Sequence, residues 1–454
     1  MIELAKPSFR RLLRWHSSVL SRTRHGHLCV LVIFCTLLIL CFLLSTPLVL
    51  SSVPDLASVR VDERIDSMEF LYDVLSKRQD VRDALATVYD VRSEAARMSV
   101  PASFQRKATA MFSAYGGTKR KLLQAIETQR IIEVWNRVTS ENAVFNNIRS
   151  FRPGGGNAGS NIGERLAVKK LYTEGSGADK CDFCSKQRTA EDVFGRIIGN
   201  YSYTASNIAK LSKWHGLIIT NAHNPLDFDE KVIADIITVS HKWFKKVHSE
   251  DPLHIYPNII CDIGKKASAS QIHLHLQMAL TKDRYFSGTE QLLRAAALYS
   301  KNNKSSYWND IVLLHKMIGL SVPVGDSVIL SNLCPRKEKE ILVLCRNPES
   351  PSFARAIAIV LITLRDAVDV NSLSFFISYP PFGKSGDYNL DDVPAFMRVI
   401  DRGSAFDPRA DTGALEYFGS TYIASDPYKV VPHLLKTRDR LDGGGDSKHS
   451  FLRL

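Results

Sequence analysis

The chain has little of what would place it in several large protein classes. Its eight cysteines among 454 residues are scattered. Cys29, Cys35 and Cys41 sit in one apolar run, Cys181 and Cys184 form a C-x-x-C pair, and Cys261, Cys334 and Cys345 fall in apparent strands. That is not the framework of a disulfide-built secreted module. The glycine-rich stretch Pro153-Gly-Gly-Gly-Asn-Ala-Gly-Ser160 lacks the G-K-[ST] ending of a phosphate-binding P-loop and reads as a linker. No basic tract interleaved with aromatics occurs, which sets nucleic acid aside despite a formal net charge of +12. The apolar run Ala356–Leu364 is far too short to cross a bilayer, which needs about 20 helical residues.

What is present is globular in composition, 45% hydrophobic and 23% charged. Much of the positive charge is local: Lys6, Arg10, Arg11, Arg14, Arg22 and Arg24 precede the first apolar run. Residues 28–50 carry no charge and are long enough to span a bilayer, so they predict a transmembrane signal anchor behind a basic tail, 1–27. Positive charge on the N-terminal side predicts a type II single-pass membrane protein with its catalytic region in the secretory lumen. An Arg- and Ser-rich transit sequence to an organelle membrane is the other reading. Residues 55–150 read as a helical stalk or cap, with Met68, Leu71, Val74 and Leu75 at helical spacing. From about Arg165 short strands alternate with helices. The pattern recurs, giving one half over 165–320 and a second over 321–440, before a Gly-rich tail, 441–454, that reads as disordered. The class is α+β.

The most informative stretch is Ser270-Gln-Ile-His273-Leu-His275-Leu-Gln277. In a strand over Ile272–Leu280, His273, His275 and Gln277 point one way and Leu274 and Leu276 the other. Imidazole serves near neutral pH as metal ligand or as nucleophile. The bland alternative is a half-buried strand with polar residues facing water. Upstream, Cys181 and Cys184 lie in a turn-like segment, and His223 follows a β-run ahead of Asn-Pro. Two cysteines with two histidines, His223 and His273, satisfy the tetrahedral S2N2 preference of zinc and leave His275 for chemistry. Reduced, unliganded cysteines and a surface histidine are the alternative.

This ordered set, C-x-x-C, a histidine after a hydrophobic strand, then S-x-x-H-x-H-x-Q, resembles the galactose-1-phosphate uridylyltransferase-like family of the histidine-triad (HIT) superfamily. The likeness covers roughly residues 165–440. It implies a HIT-like tandem repeat of two antiparallel-sheet halves with helices, the second half degenerate. It further implies a zinc site at Cys181, Cys184, His223 and His273, with His275 as the nucleophile of a nucleotidyl-histidine intermediate. Gln277 and Ser270 would contact the phosphoryl oxygens and Asn207 the nucleotide. The implied reaction is ping-pong nucleotidyl transfer between a nucleotide sugar and a sugar 1-phosphate. Phosphorolysis of a nucleotide sugar or dinucleotide polyphosphate, with inorganic phosphate as acceptor, is the alternative. The resemblance also implies a homodimer. Gln277 stands where hydrolytic relatives carry a third histidine, and a neutral amide donates hydrogen bonds without readily activating water. The chain departs from the family at Ile272 and Leu274, where prolines are usual, and at Ile208, where an acidic residue often follows the asparagine. A catalytically silent, zinc-stabilised scaffold is the reading from another class.

Overall fold

The structure is a computed structural model, and it describes residues 55–151, 162–174, 178–383, 392–410 and 412–443. The first layer contains α1 (Met68–Lys77), α2 (Gln79–Leu85), β1 (Tyr89–Arg97), α3 (Ala102–Met111), α4 (Lys119–Glu127), β2 (Thr128–Asn136) and β3 (Asn142–Asn146). Then follow α5 (Ile162–Glu174), β4 (Ser202–Ser206), β5 (Trp214–Thr220), α6 (Glu230–Glu250), β6 (Tyr256–Ile263), β7 (His275–Thr281), α7 (Ser287–Asn303) and α8 (Tyr307–Met317). The remainder is β8 (Ser321–Val324), β9 (Ser327–Ser331), β10 (Ile341–Cys345), α9 (Pro351–Asp366), β11 (Leu373–Ser378), β12 (Ala395–Asp401), α10 (Ala414–Phe418), β13 (Thr421–Ile423) and α11 (Val431–Asp442).

Nine strands form one antiparallel sheet in the order β4-β5-β7-β6-β11-β12-β10-β9-β8. From one edge it reads β4-β5-β7-β6, and toward the other β9-β10-β12-β11, with β8 added outside. The two halves therefore share one topology and meet where β6 pairs with β11, Ile260 opposite Phe376. Each half inserts its helix at the same place, α6 between β5 and β6 and α9 between β10 and β11.

One face of this sheet is buried under α6 and α9. Ile233, Ile236, Trp243 and Phe244 of α6 form a stripe at helical spacing, and nearly all of α9 from Phe353 to Leu364 is buried. Leu276 and Met278 of β7 point into this core. Gly216 of β5 admits the Trp243 indole, since a Cβ there would meet its ring at 2.8 Å. On the other face the segment of Phe183 packs on Tyr203, Ala205, Leu217 and Ile219 of the first half, and the first layer covers the second half. Leu330, Leu342, Leu344 and Phe396 pack there against α1, α2, α7, α8 and the strands of the first layer. Buried Arg398 of β12 fastens that layer, donating to Glu340 (2.6 Å) and to Glu141 (2.9 Å).

Several expectations change. Residues 55–150 are not a helical stalk. They include a β1-β2-β3 meander, extended by β13 into a four-stranded sheet, and they pack on the main sheet. The helical spacing of Met68, Leu71, Val74 and Leu75 is real in α1, but Val91, Ile132 and Val134 alternate as strand residues do. The expectation of a single-pass membrane protein is likewise corrected. Among the described residues no helix is long and apolar enough to cross a membrane. The 21-residue α6 is amphipathic and carries seven charged side chains from Glu230 to Glu250, and α9 has only 16 residues. The run 28–50, its basic tail, the glycine-rich stretch 153–160 and residues 444–454 lie outside the described residues.

Candidate functional site

The first half of the sheet face away from α6 and α9 is built from β4, β5, β7 and β6. On it β7 is a central strand, hydrogen-bonded to β5 on one side and β6 on the other. The strand begins at His275, three residues later than its sequence suggests, so His273 lies just ahead of it. Alternation still places His275 and Gln277 on one face. Gln277 stands between Leu217 of β5 and Ile260 of β6, and His275 opposite Ile219.

The fold brings Cys181, Cys184, His223 and His273 together, with one ligand atom from each lying within 4.8 Å of the others. The Cys184 sulfur is 3.2 Å from His223 Nδ1 and 3.4 Å from His273 Nδ1, and the Cys181 sulfur is 3.6 Å from His273 Nδ1. Tetrahedral zinc with bonds of about 2.3 Å to sulfur and 2.0 Å to nitrogen sets its ligand atoms about 3.3–3.8 Å apart, a spacing that the three sulfur–nitrogen approaches match closely. The protonation pattern fits too. His273 Nε2 lies 2.7 Å from the Thr220 carbonyl, which can only accept, so Nε2 bears the proton and Nδ1 offers its lone pair to the sulfurs. Burial, then the neighbouring His223 and His275, pushes His273 down to about 4, which keeps the ring neutral. Burial and the adjacent Cys181 push the Cys184 thiol up to about 11, a pairing that a cation would relieve.

Each donor is held from outside. The loop carrying His223 is gripped by buried Arg365 of α9, which donates to the carbonyls of Leu226 (2.9 Å) and Phe228 (2.5 Å) and pairs with Asp366. Arg196 fastens the segment after the cysteines, donating to the carbonyls of Lys186 (2.9 Å), Thr189 (2.5 Å) and Thr204 (3.0 Å). Between the cysteines, Phe183 sets its ring edge against His275, centroids 4.9 Å apart, while its carbonyl accepts from the Tyr203 hydroxyl at 2.8 Å.

His275 is 9% exposed, and its Nδ1 lies 2.9 Å from the His273 carbonyl. Nδ1 must therefore donate, which leaves Nε2 unprotonated. Burial holds this ring below the usual histidine range, although the His273 carbonyl and the Asp262 carboxylate act the other way. Asp262 of β6 accepts from the Ser374 hydroxyl of β11 at 2.5 Å, so the second half of the sheet reaches the site edge. Gln277 is half-buried and its Oε1 lies 3.1 Å from His215 Nε2. Asn207, at the end of β4, touches the same imidazole at 3.3 Å. Ile208 beside it is 92% exposed. Ser270 is exposed in the turn before His273.

Sequence reasoning thus named the four cysteine and histidine side chains that cluster here and the two β7 side chains, and missed His215, Phe183, Asp262 and Arg365. Phe183 lies inside the C-x-x-C and Asp262 in a recognisable strand, but nothing local shows what either touches. His215 reads as a core histidine until the β5-β7 register is known.

No family model matches the chain, and no curated protein sequence does. Several solved structures are similar to it. An ADP-glucose phosphorylase from Arabidopsis thaliana, solved with bound ADP-glucose, is 13% identical with a TM-score of 0.49; the match covers 66% of this chain and 97% of that one. A GalT-like protein from the same plant is 14% identical, TM-score 0.47, covering 56% and 91%. A uridylyltransferase is 13% identical, TM-score 0.44, covering 54% and 86%.

Proposed function

We propose that this chain is a nucleotidyltransferase that works through a covalent nucleotidyl-histidine on His275. One observation carries the reading: the Nδ1–H of His275 is committed to the His273 carbonyl at 2.9 Å, leaving Nε2 with its lone pair on the strand face that Gln277 shares. A buried neutral imidazole with one nitrogen so occupied is an activated nucleophile that needs no separate base.

The Nε2 lone pair attacks the α-phosphorus of a nucleotide sugar. The bond to the bridging oxygen breaks, and its electron pair leaves with the sugar phosphate. The departing phosphate needs no proton near neutral pH, so the neutral Gln277 costs the reaction nothing. In the second step a phosphate oxygen of the acceptor attacks the same phosphorus, and the electron pair of the P–N bond returns to Nε2. Gln277 and Ser270 donate to the phosphoryl oxygens, where charge builds in the transition state. Asn207 contacts the nucleoside. Zinc fits Cys181, Cys184, His223 and His273, where it would supply a structural crosslink that holds the backbone of the motif. The acceptor is a sugar 1-phosphate; inorganic phosphate as acceptor, giving phosphorolysis, uses the same residues.

The test is incubation with UDP-, GDP- and ADP-sugars and a dinucleotide polyphosphate, each labelled at the α-phosphorus, followed by denaturation. Acid-labile, base-stable label on the wild type and none on His275→Ala is the expected result. Chasing labelled protein with sugar phosphate or inorganic phosphate then identifies the acceptor. A metal-loaded protein that takes no label from any donor contradicts the reading and favours a silent scaffold.

A further inference from the structure

His215 is 1% exposed, in the middle of the site, and carries no role in the chemistry above. It lies on β5 opposite Ala279, two residues from Leu217, which faces Gln277. Cross-strand diagonal neighbours on one face are within side-chain reach. Its Nδ1 accepts the Leu211 N–H at 3.0 Å, so that nitrogen is unprotonated. Burial, then Lys210, holds the ring below the usual histidine range, so it is neutral and its single proton is on Nε2. Two amides approach that nitrogen: Gln277 Oε1 at 3.1 Å and Asn207 Nδ2 at 3.3 Å. An N–H can donate only to the oxygen. Gln277 Oε1 is therefore anchored to His215 and its NH2 group is left for a ligand. Asn207 is oriented separately, because its Oδ1 accepts the Ala209 N–H at 3.0 Å.

We propose that His215 is a positioning residue that fixes the rotamer of the Gln277 amide, so that NH2 rather than carbonyl meets the phosphoryl oxygens. The inference rests on the nucleotidyl-transfer reading and adds a requirement to it. A glutamine amide flips at little cost in volume, and the flipped form would set a carbonyl oxygen against an anionic phosphoryl oxygen. Selection between the two comes from one proton on one imidazole, and the Leu211 N–H decides where that proton sits.

The experiment is a double-mutant cycle on single-turnover labelling of His275 in the full chain. His215→Phe keeps the ring and removes the donor. It should slow labelling by roughly ten-fold in kcat with KM changed less than about three-fold. His215→Gln, which restores a donor, should recover to within about three-fold of wild type. In a Gln277→Ala background His215→Phe should have almost no further effect, because the group it orients is gone. Equal slowing in both backgrounds means His215 acts only on general structure and overturns the proposal. If wild type takes no label, the transfer reading fails. The orientation is then judged by 15N NMR of protein labelled at histidine and at the glutamine side chains, with His215→Phe and Gln277→Ala for assignment. Protonated Nε2, with a shift of the Gln277 side-chain amide in the variant, supports it, and protonated Nδ1 overturns it.

Discussion

The Nδ1 of His275 lies 2.9 Å from the backbone carbonyl of His273, so one histidine of the motif holds the other through the main chain. His273 in turn faces both cysteine sulfurs and donates to the Thr220 carbonyl at 2.7 Å. Any cation bound there would act on His275 through a peptide unit and through Phe183, not by touching a substrate.

Metal removal should therefore damage the chemical step more than binding. A strong chelator should lower the rate of His275 labelling by at least about ten-fold while nucleotide affinity, read by equilibrium binding, changes less than about three-fold. Added zinc should restore the rate. A chelated, metal-free protein that labels at the wild-type rate would count against this coupling.

Arg365 should matter to the metal without being near it. It holds the loop of His223 by two carbonyls and carries its own charge buried beside Asp366. Arg365→Leu leaves those carbonyls and that carboxylate without the cation, so metal affinity should fall roughly 10–100-fold. Competition with a chromophoric chelator measures it. An unchanged affinity would show that the loop is held by other contacts.

How much of this the sequence disclosed follows from how local each feature is. The cluster of Cys181, Cys184, His223 and His273, and the β7 pair His275 and Gln277, are legible because spacing and side-chain chemistry announce them. The repeat of strand and helix is visible as a change of texture near Arg165, and α6 and α9 as apolar patterns. The first layer was misread because the apolar positions of α1 suggested helix throughout, whereas pairing between Tyr89–Arg97 and Thr128–Asn136 depends on residues about forty apart. His215 and Arg365 were hidden for the same reason. Their partners, Gln277 and Leu226, are 62 and 139 residues away.

Acid should destabilise the fold partly through His315. This ring is buried, sits edge-on to Tyr89 at 5.8 Å, accepts from the Leu333 N–H at 3.2 Å and donates to the Ile311 carbonyl at 2.7 Å. Burial pushes it down to about 4. The unfolded chain, near 6.5, takes the proton first. Its contribution is thus complete above about pH 6.5 and is lost as pH falls toward 4, by up to about 3 kcal/mol. In urea unfolding at pH 7 and pH 5, His315→Gln should lose less stability on acidification than wild type. An equal loss in both proteins would remove His315 as a cause.

Gln277→His should change the fate of the intermediate. An imidazole there can activate water, which the amide cannot. Transfer to the acceptor should fall by roughly 10–100-fold, while the fraction of turnovers ending in free nucleotide rises. Product analysis by chromatography reads that ratio. A variant that loses both reactions equally would place Gln277 in structure alone.

The central claim is that one nucleotidyl group passes through His275 in two displacements. It is tested most directly by a nucleotide sugar made chiral at the α-phosphorus with sulfur. Each in-line displacement inverts that centre, so two must restore it. The account predicts a product of retained configuration from the wild type. Inversion would mean direct transfer between the two substrates and would contradict it.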